Sequence, residues 1–192
     1  MVGQTRRLTA DDLWELQGSD PDVHGWELVD GELVEVSPAN LPHGRVQSRL
    51  AHLMWNHVDR VGGGVVYTEG GFVLEVPGDP ERVRGPDVAF VSHRTLAAAG
   101  GEPAKGFARM CPDLAAEVFS PSNLKDARDF QQKIVDYVDA GVRVVWVLYP
   151  DSRSALVHHP DGASRLLRGT DAALEGESVL PGFRLPLSDL FG

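Results

Sequence analysis

Two hydrophobic periods alternate along the 192-residue chain, and the switches between them mark its elements. Thr9 precedes Asp11, Asp12, Leu13, Trp14 and Leu16. A hydroxyl followed by acids and an apolar stripe is a capped helix start, and the stripe predicts a helix to about Gln17. Residues 26–36 alternate about a central Asp30-Gly31 pair, which suits a two-residue type I′ hairpin turn. That register sets Val29 opposite Glu32. One face of the hairpin then carries Glu27, Val29, Glu32, Val34 and Val36, and the other carries Trp26, Leu28, Leu33 and Glu35. A Pro-bearing connection, 37–42, leads to a helix from His43 to about Arg60. Its stripe is Val46, Leu50, Leu53, Met54 and Val58 at helical spacing. Residues 65–67 and 71–76 read as strands, 77–85 as a polar loop holding Arg82 and Arg84, and 86–91 as a strand opened by Pro86. A missing N–H is tolerated at such a position.

Residues 93–109 form an Ala- and Gly-rich excursion with room for a short helix. The stretch 114–119 is apolar apart from Glu117 and is bounded by Pro112 and Pro121, so it reads as a strand buried on both faces. A helix over 124–140 follows, with Leu124, Ala127, Phe130, Ile134 and Tyr137/Val138 on its stripe and Gly141 placed to end it. Residues 142–149 are the most apolar strand of the chain and are expected at the centre of the sheet. A turn at 150–153 leads into a strand at 155–158. Short strands at 166–167 and 179–183 and a helical turn at 187–191 complete the chain. The order predicts an α/β (α+β) single domain over 1–192, a mixed β-sheet flanked by helices. Its N-terminal helix and hairpin take 9–36, its core about 43–150, and its last strands 151–192.

Composition narrows the function. The net charge is −10, which argues against a protein that coats nucleic acid, because phosphate neutralisation needs clustered Lys and Arg. It leaves room for a nuclease whose acidic site takes up cations. The single cysteine, Cys111, excludes an internal disulfide and a Cys-based zinc site. No apolar run is long enough to cross a membrane, and the N-terminus lacks an apolar signal core, so a cytoplasmic protein is expected. No Gly-rich phosphate loop follows a strand.

An acid inside a buried strand is costly unless neutralised, paired or bound to a metal. Glu117 is such an acid, and Asp87 opens an earlier strand. Carboxylates on neighbouring strands can hold Mg²⁺ or Mn²⁺ with its waters, and a nearby Lys can stabilise developing charge during phosphodiester hydrolysis. Pro-Asp pairs alone are weak evidence, since they recur at 21, 86, 112, 150 and 160; those at 86 and 112 open buried strands. Nucleases of this kind place Lys two positions after the acid. Here that position is Phe119, and the nearest substitute is Lys133, four residues before Tyr137 on the same helix face. Lys133 could equally pair with Asp129 on the helix surface. Glu32 could be a third acid near a metal or a hairpin-end acid in solvent. His43 could sit beside an anionic substrate or be a solvated helix-start residue. Asp113 reads as a strand-entry residue bonded to a turn, and the adjacent His158 and His159 point to opposite faces, a poor ligand pair.

These stretches together resemble the Uma-type restriction endonucleases of the PD-(D/E)XK nuclease superfamily. The likeness runs through WELVDGEL at 26–33, His43, PDVAFV at 86–91, PDLAAEVFSPS at 112–122 and KIVDY at 133–137. It continues through Ala140-Gly141-Val142, Trp146-Val147, Tyr149-Pro150-Asp151, LPGF at 180–183 and Leu190-Phe191. The resemblance implies a restriction-endonuclease-like core and a divalent-metal site, with Mg²⁺ or Mn²⁺ on Asp87 and Glu117. It matches Lys133 to a helix lysine that replaces the missing motif Lys, and places Glu32 and His43 near the site. It implies an endonuclease acting on DNA, for which a homodimer would serve to cut both strands. The alternative is a catalytically inactive nuclease fold that serves as an interaction or DNA-binding module.

Overall fold

The computed structural model describes residues 6–23, 25–36, 39–124 and 127–192. Ser37 and Pro38 of the expected 37–42 connection, and Lys125 and Asp126 of the expected 124–140 helix, lie outside them. Helix α1 (Ala10–Ser19) begins with the anticipated Thr9 cap, which forms a capping box with Asp12. The hairpin β1 (Glu27–Val29) and β2 (Glu32–Val34) has the expected register, with Val29 opposite Glu32. Asp30 and Gly31 both take the left-handed backbone that a type I′ turn requires. Helix α2 (Leu41–Val61) starts two residues before His43 because Asn40 caps it, accepting the His43 N–H.

Strands β3 (Gly64–Thr68), β4 (Phe72–Val76), β5 (Asp79–Arg84) and β6 (Val88–Ser92) follow, then α3 (His93–Ala98), β7 (Leu114–Val118), α4 (Ala127–Asp139) and β8 (Val144–Tyr149). The chain closes with β9 (Ser154–His158), β10 (Ser164–Leu167), β11 (Ala173–Glu175), β12 (Arg184–Pro186) and α5 (Leu187–Phe191). Two expectations fail here. Residues 77–85 are not a loop: they supply β5, whose Arg82 and Arg84 are buried by ion pairing. Residues 179–183 are not a strand; Val179 and Leu180 close tight backbone turns onto Gly176 and pack into the core, while β11 and β12 pair on either side of them.

The strands form a six-stranded mixed sheet, β10-β9-β8-β7-β6-β3, a four-stranded sheet, β2-β1-β5-β4, and the β11-β12 pair. In the larger sheet β7 and β8 are the central pair and run parallel. Parallel neighbours need a crossover, and α4 provides it. Alternation along β7 then decides the site. Leu114, Ala116 and Val118 enter one core with α2 and the C-terminal segment, and Ala115 enters a second core with α4 and β4. Glu117 shares the parity of Ala115, so the helix that covers its face is the one that carries Lys133.

Candidate active site

A cleft of about 760 Å³ opens where the two larger sheets and α4 meet. Its floor is acidic: Glu27, Asp87 and Glu117 are all buried, and Lys133 is buried among them. Register explains the convergence. Val88 pairs with Ala116, which sets Asp87, just before β6, beside Glu117 near the end of β7. Lys133 descends from α4. Its Nζ lies 3.1 Å from Glu117 Oε1 and 2.9 Å from Glu27 Oε1, and donates to the Gly85 carbonyl at 2.9 Å. Tyr137, one turn on, donates its hydroxyl to Glu117 Oε1 at 2.7 Å. Asp87 Oδ2 accepts the Val118 N–H at 2.6 Å, tying the acid to the strand of its partner acid. Asp87 Oδ1 lies 3.1 Å from His43 Nε2, while His43 Nδ1 is buried without a partner among the described residues.

The sequence placed Asp87, Glu117, Lys133 and His43 together, and the structure brings these four into one cleft. It does not bring in Glu32. That residue is exposed at the turn end of β2 and does not line the cleft. The hairpin acid that reaches the floor is Glu27, on the same face but at the far end of β1, opposite Val34. Its signal in the sequence was an acid at the end of the hairpin away from the turn, where a strand runs on into the body of a sheet. His43 is buried, so the solvated helix-start reading is set aside. Asp129 does not pair with Lys133; it pairs with Arg84. Asp113 follows its bland reading, accepting from Ser92 and Thr95 and pairing with Arg143. His158 and His159 bond separately to Ser164 and Glu177.

Arg84 is the largest element that sequence reasoning missed. It is fully buried and lies 2.7 Å from Glu27 Oε2 and 2.8 Å from Asp136 Oδ2. Arg82 on the same face of β5 pairs with Asp136, Asp79 and Asp30. Glu27 therefore stands between two cations and also accepts the Gly85 N–H at 2.9 Å.

The unequal partners explain the acidities. Burial pushes Glu27 up, but Lys133, Arg84 and the Gly85 N–H outweigh it and hold Glu27 below its usual range. Burial pushes Glu117 up to about 8; the nearby Asp87 and Glu27 charges add to this, against opposition from Lys133 and the Tyr137 hydroxyl. One ammonium is thus shared by two acids, and Glu27 is the better-satisfied ion. Lys133 itself would be lowered by burial, but Glu117 and Glu27 outweigh that and hold it firmly cationic. Burial likewise opposes protonation of His43, and the hydrogen bond and charge of Asp87 overcome it.

A family model, Uma2, described as "Putative restriction endonuclease", matches residues 10–188. The chain belongs to the Uma2 family. Comparison with curated proteins gives no match. Among solved structures the Uma2 chain is similar to one titled a "putative nuclease belonging to DUF820" from Anabaena variabilis ATCC 29413. The two share 20% identity over 96% of this chain and 97% of that one, with a TM-score of 0.75. This likeness confirms the α/β nuclease-type fold expected from the sequence.

The donor set fits a hard divalent cation. Asp87 and Glu117 offer carboxylate oxygens to one cleft, and Mg²⁺ is commonly held by one or two carboxylates with waters filling its other positions. The positive charge would also offset the cost of burying Glu117 beside Asp87. Among the described residues no three His, Cys, Asp or Glu side chains form a ready metal cage.

Proposed function

We propose that this Uma2 chain hydrolyses DNA phosphodiester bonds with Mg²⁺ or Mn²⁺ held by Asp87 and Glu117. The observation that carries the reading is Lys133 Nζ, set 3.1 Å from Glu117 in a cleft that Asp87 and His43 also line. The bound cation would polarise the phosphate and acidify a water. Lys133, kept cationic by Glu27 and Glu117, stabilises charge developing on the phosphate. Tyr137 and Lys133 together fix the Glu117 carboxyl, and His43 fixes that of Asp87. Glu27 takes the supporting place first given to Glu32: it holds Lys133 in position. The chain acts as one nuclease domain, and a cytoplasmic homodimer would supply the two clefts that cutting both strands requires. The test is nicking of supercoiled plasmid with Mn²⁺ or Mg²⁺. Wild type nicks, and Asp87→Asn and Lys133→Ala, shown to be folded by circular dichroism, do not. Equal nicking by both variants at equal purity overturns the reading.

One observation favours a second reading, a nuclease fold that binds without cutting. The cleft lacks a three-ligand cage among the described residues, and Asp87 and Glu117 already have protein partners. Titration calorimetry separates the two: tight Mn²⁺ binding that Glu117→Gln abolishes argues for the nuclease.

A further inference from the structure

The end of the large sheet that carries Asp87 and Glu117 carries a second, oppositely charged feature. Val118 pairs with Leu148, and Tyr149 pairs with Ser154, so the turn between β8 and β9 emerges at this end. Leu167 pairs with Ala155, so the chain leaving β10 emerges there too. These two connections bring Arg153 and Arg168 to the rim of one cleft of about 480 Å³, which Ser152, Thr170 and Ser188 also line. Arg153 and Arg168 are exposed, and neither side chain forms an ion pair or hydrogen bond with any described residue.

Arg82, Arg84, Arg109 and Arg143 are each held by acids of the chain. The Arg153 and Arg168 guanidinium groups, at the rim of one cleft and without such partners, are free to meet an anion from outside. Guanidinium and hydroxyl donors suit phosphate oxygens. The spacing points to a polymer. Neighbouring strands lie roughly 4.8 Å apart, so β10 stands about 14 Å along the rim from β7. That is close to the width of the major groove of B-DNA, about 12 Å.

We propose that Arg153 and Arg168 form a phosphate-binding subsite for duplex DNA. A strand engaged at Asp87 and Glu117 has its opposite strand's backbone gripped across a groove. This rests on the nuclease reading above and adds to it where an acidic protein finds its DNA contacts. The subsite positions the duplex and carries no sequence information.

The test is anisotropy of a short labelled duplex, titrated across a range of salt in EDTA so that no strand is cut. The proteins are wild type, Arg153→Gln/Arg168→Gln and Arg94→Gln. Arg94 is exposed on α3, at the opposite end of β6 from Asp87. Loss of two phosphate contacts lowers the slope of log affinity against log salt by about 1.8. The double variant shows that drop, and Arg94→Gln keeps the wild-type slope. Equal slopes in wild type and the double variant, or an equal drop in Arg94→Gln, overturn the subsite. Plasmid nicking by the same preparations in Mn²⁺ then judges the nuclease reading separately. A duplex neither bound nor nicked by wild type overturns both.

Discussion

At the scale of single residues, the site is defined by how many partners each acid has. Glu27 has Lys133, Arg84 and a backbone N–H, and Glu117 shares the same ammonium with a tyrosine. Removing one member of a buried ionic set leaves the others uncompensated and costs about 3–5 kcal/mol. Arg84→Ala, which takes from Glu27 and from Asp136 one of the two cations that hold each, is expected to lose that much in urea unfolding. Glu32→Gln, on the same hairpin but exposed, is expected to change stability by less than about 0.5 kcal/mol. The contrast checks which hairpin acid the fold depends on. Asp113 makes a prediction about pH. Burial opposes its ionisation, but the Ser92 N–H, Arg143 and Thr95 outweigh burial and hold its pKa below the ordinary value. The unfolded chain therefore binds this proton more readily than the folded one. Its stabilisation is present above the ordinary carboxylate range and fades as pH falls below it toward the folded pKa. Asp113→Asn is expected to lower the unfolding midpoint at neutral pH and to flatten its decline in acid.

At the scale of elements, β7, α4 and β8 were legible because burial and periodicity agree there. The acid in β7 was visible as an anomaly in an apolar run, and Lys133 was visible as the nearest base on the next helix. Phe119, which occupies the usual lysine position, packs edge-on to Phe130 and beside Tyr149. The parallel crossover brings a helix over the same face, so the ammonium arrives from α4 instead. Strand β5 was not legible. One of its two buried faces is Arg82 and Arg84, and charge neutralised by partners 50 or so residues away leaves no hydrophobic period to read. Glu27 and Glu32 could not be ranked for a related reason. The hairpin register put them on one face, but only the pairing of Leu28 with Val83 shows that β1, not β2, is the strand joined to β5 in the four-stranded sheet. The turn that sets this register is itself testable. Gly31 has φ +75, and a Cβ there would lie 2.6 Å from Arg7 Cβ. Gly31→Ala is expected to cost about 1–2 kcal/mol from left-handed strain, read as a lower urea midpoint.

At the scale of the whole molecule, one end of the six-stranded sheet gathers the chemistry. Asp87, Glu117 and the start of α2 meet there, and the connections bearing Arg153 and Arg168 emerge there. The acidic composition that argued against nucleic-acid coating is consistent with this division. The acids build a cleft suited to a cation, and Arg153 and Arg168 lie in a separate cleft at the same end of the sheet. No helix among the described residues is long and apolar enough to cross a membrane. The central claim is that Asp87 and Glu117 form a divalent-cation site beside Lys133. Crystals soaked in Mn²⁺ and measured for anomalous scattering test it directly. A peak between the Asp87 and Glu117 carboxylates, with Lys133 still against Glu117, is the predicted result. A well-ordered cleft with no peak, or a peak held by other residues, contradicts it.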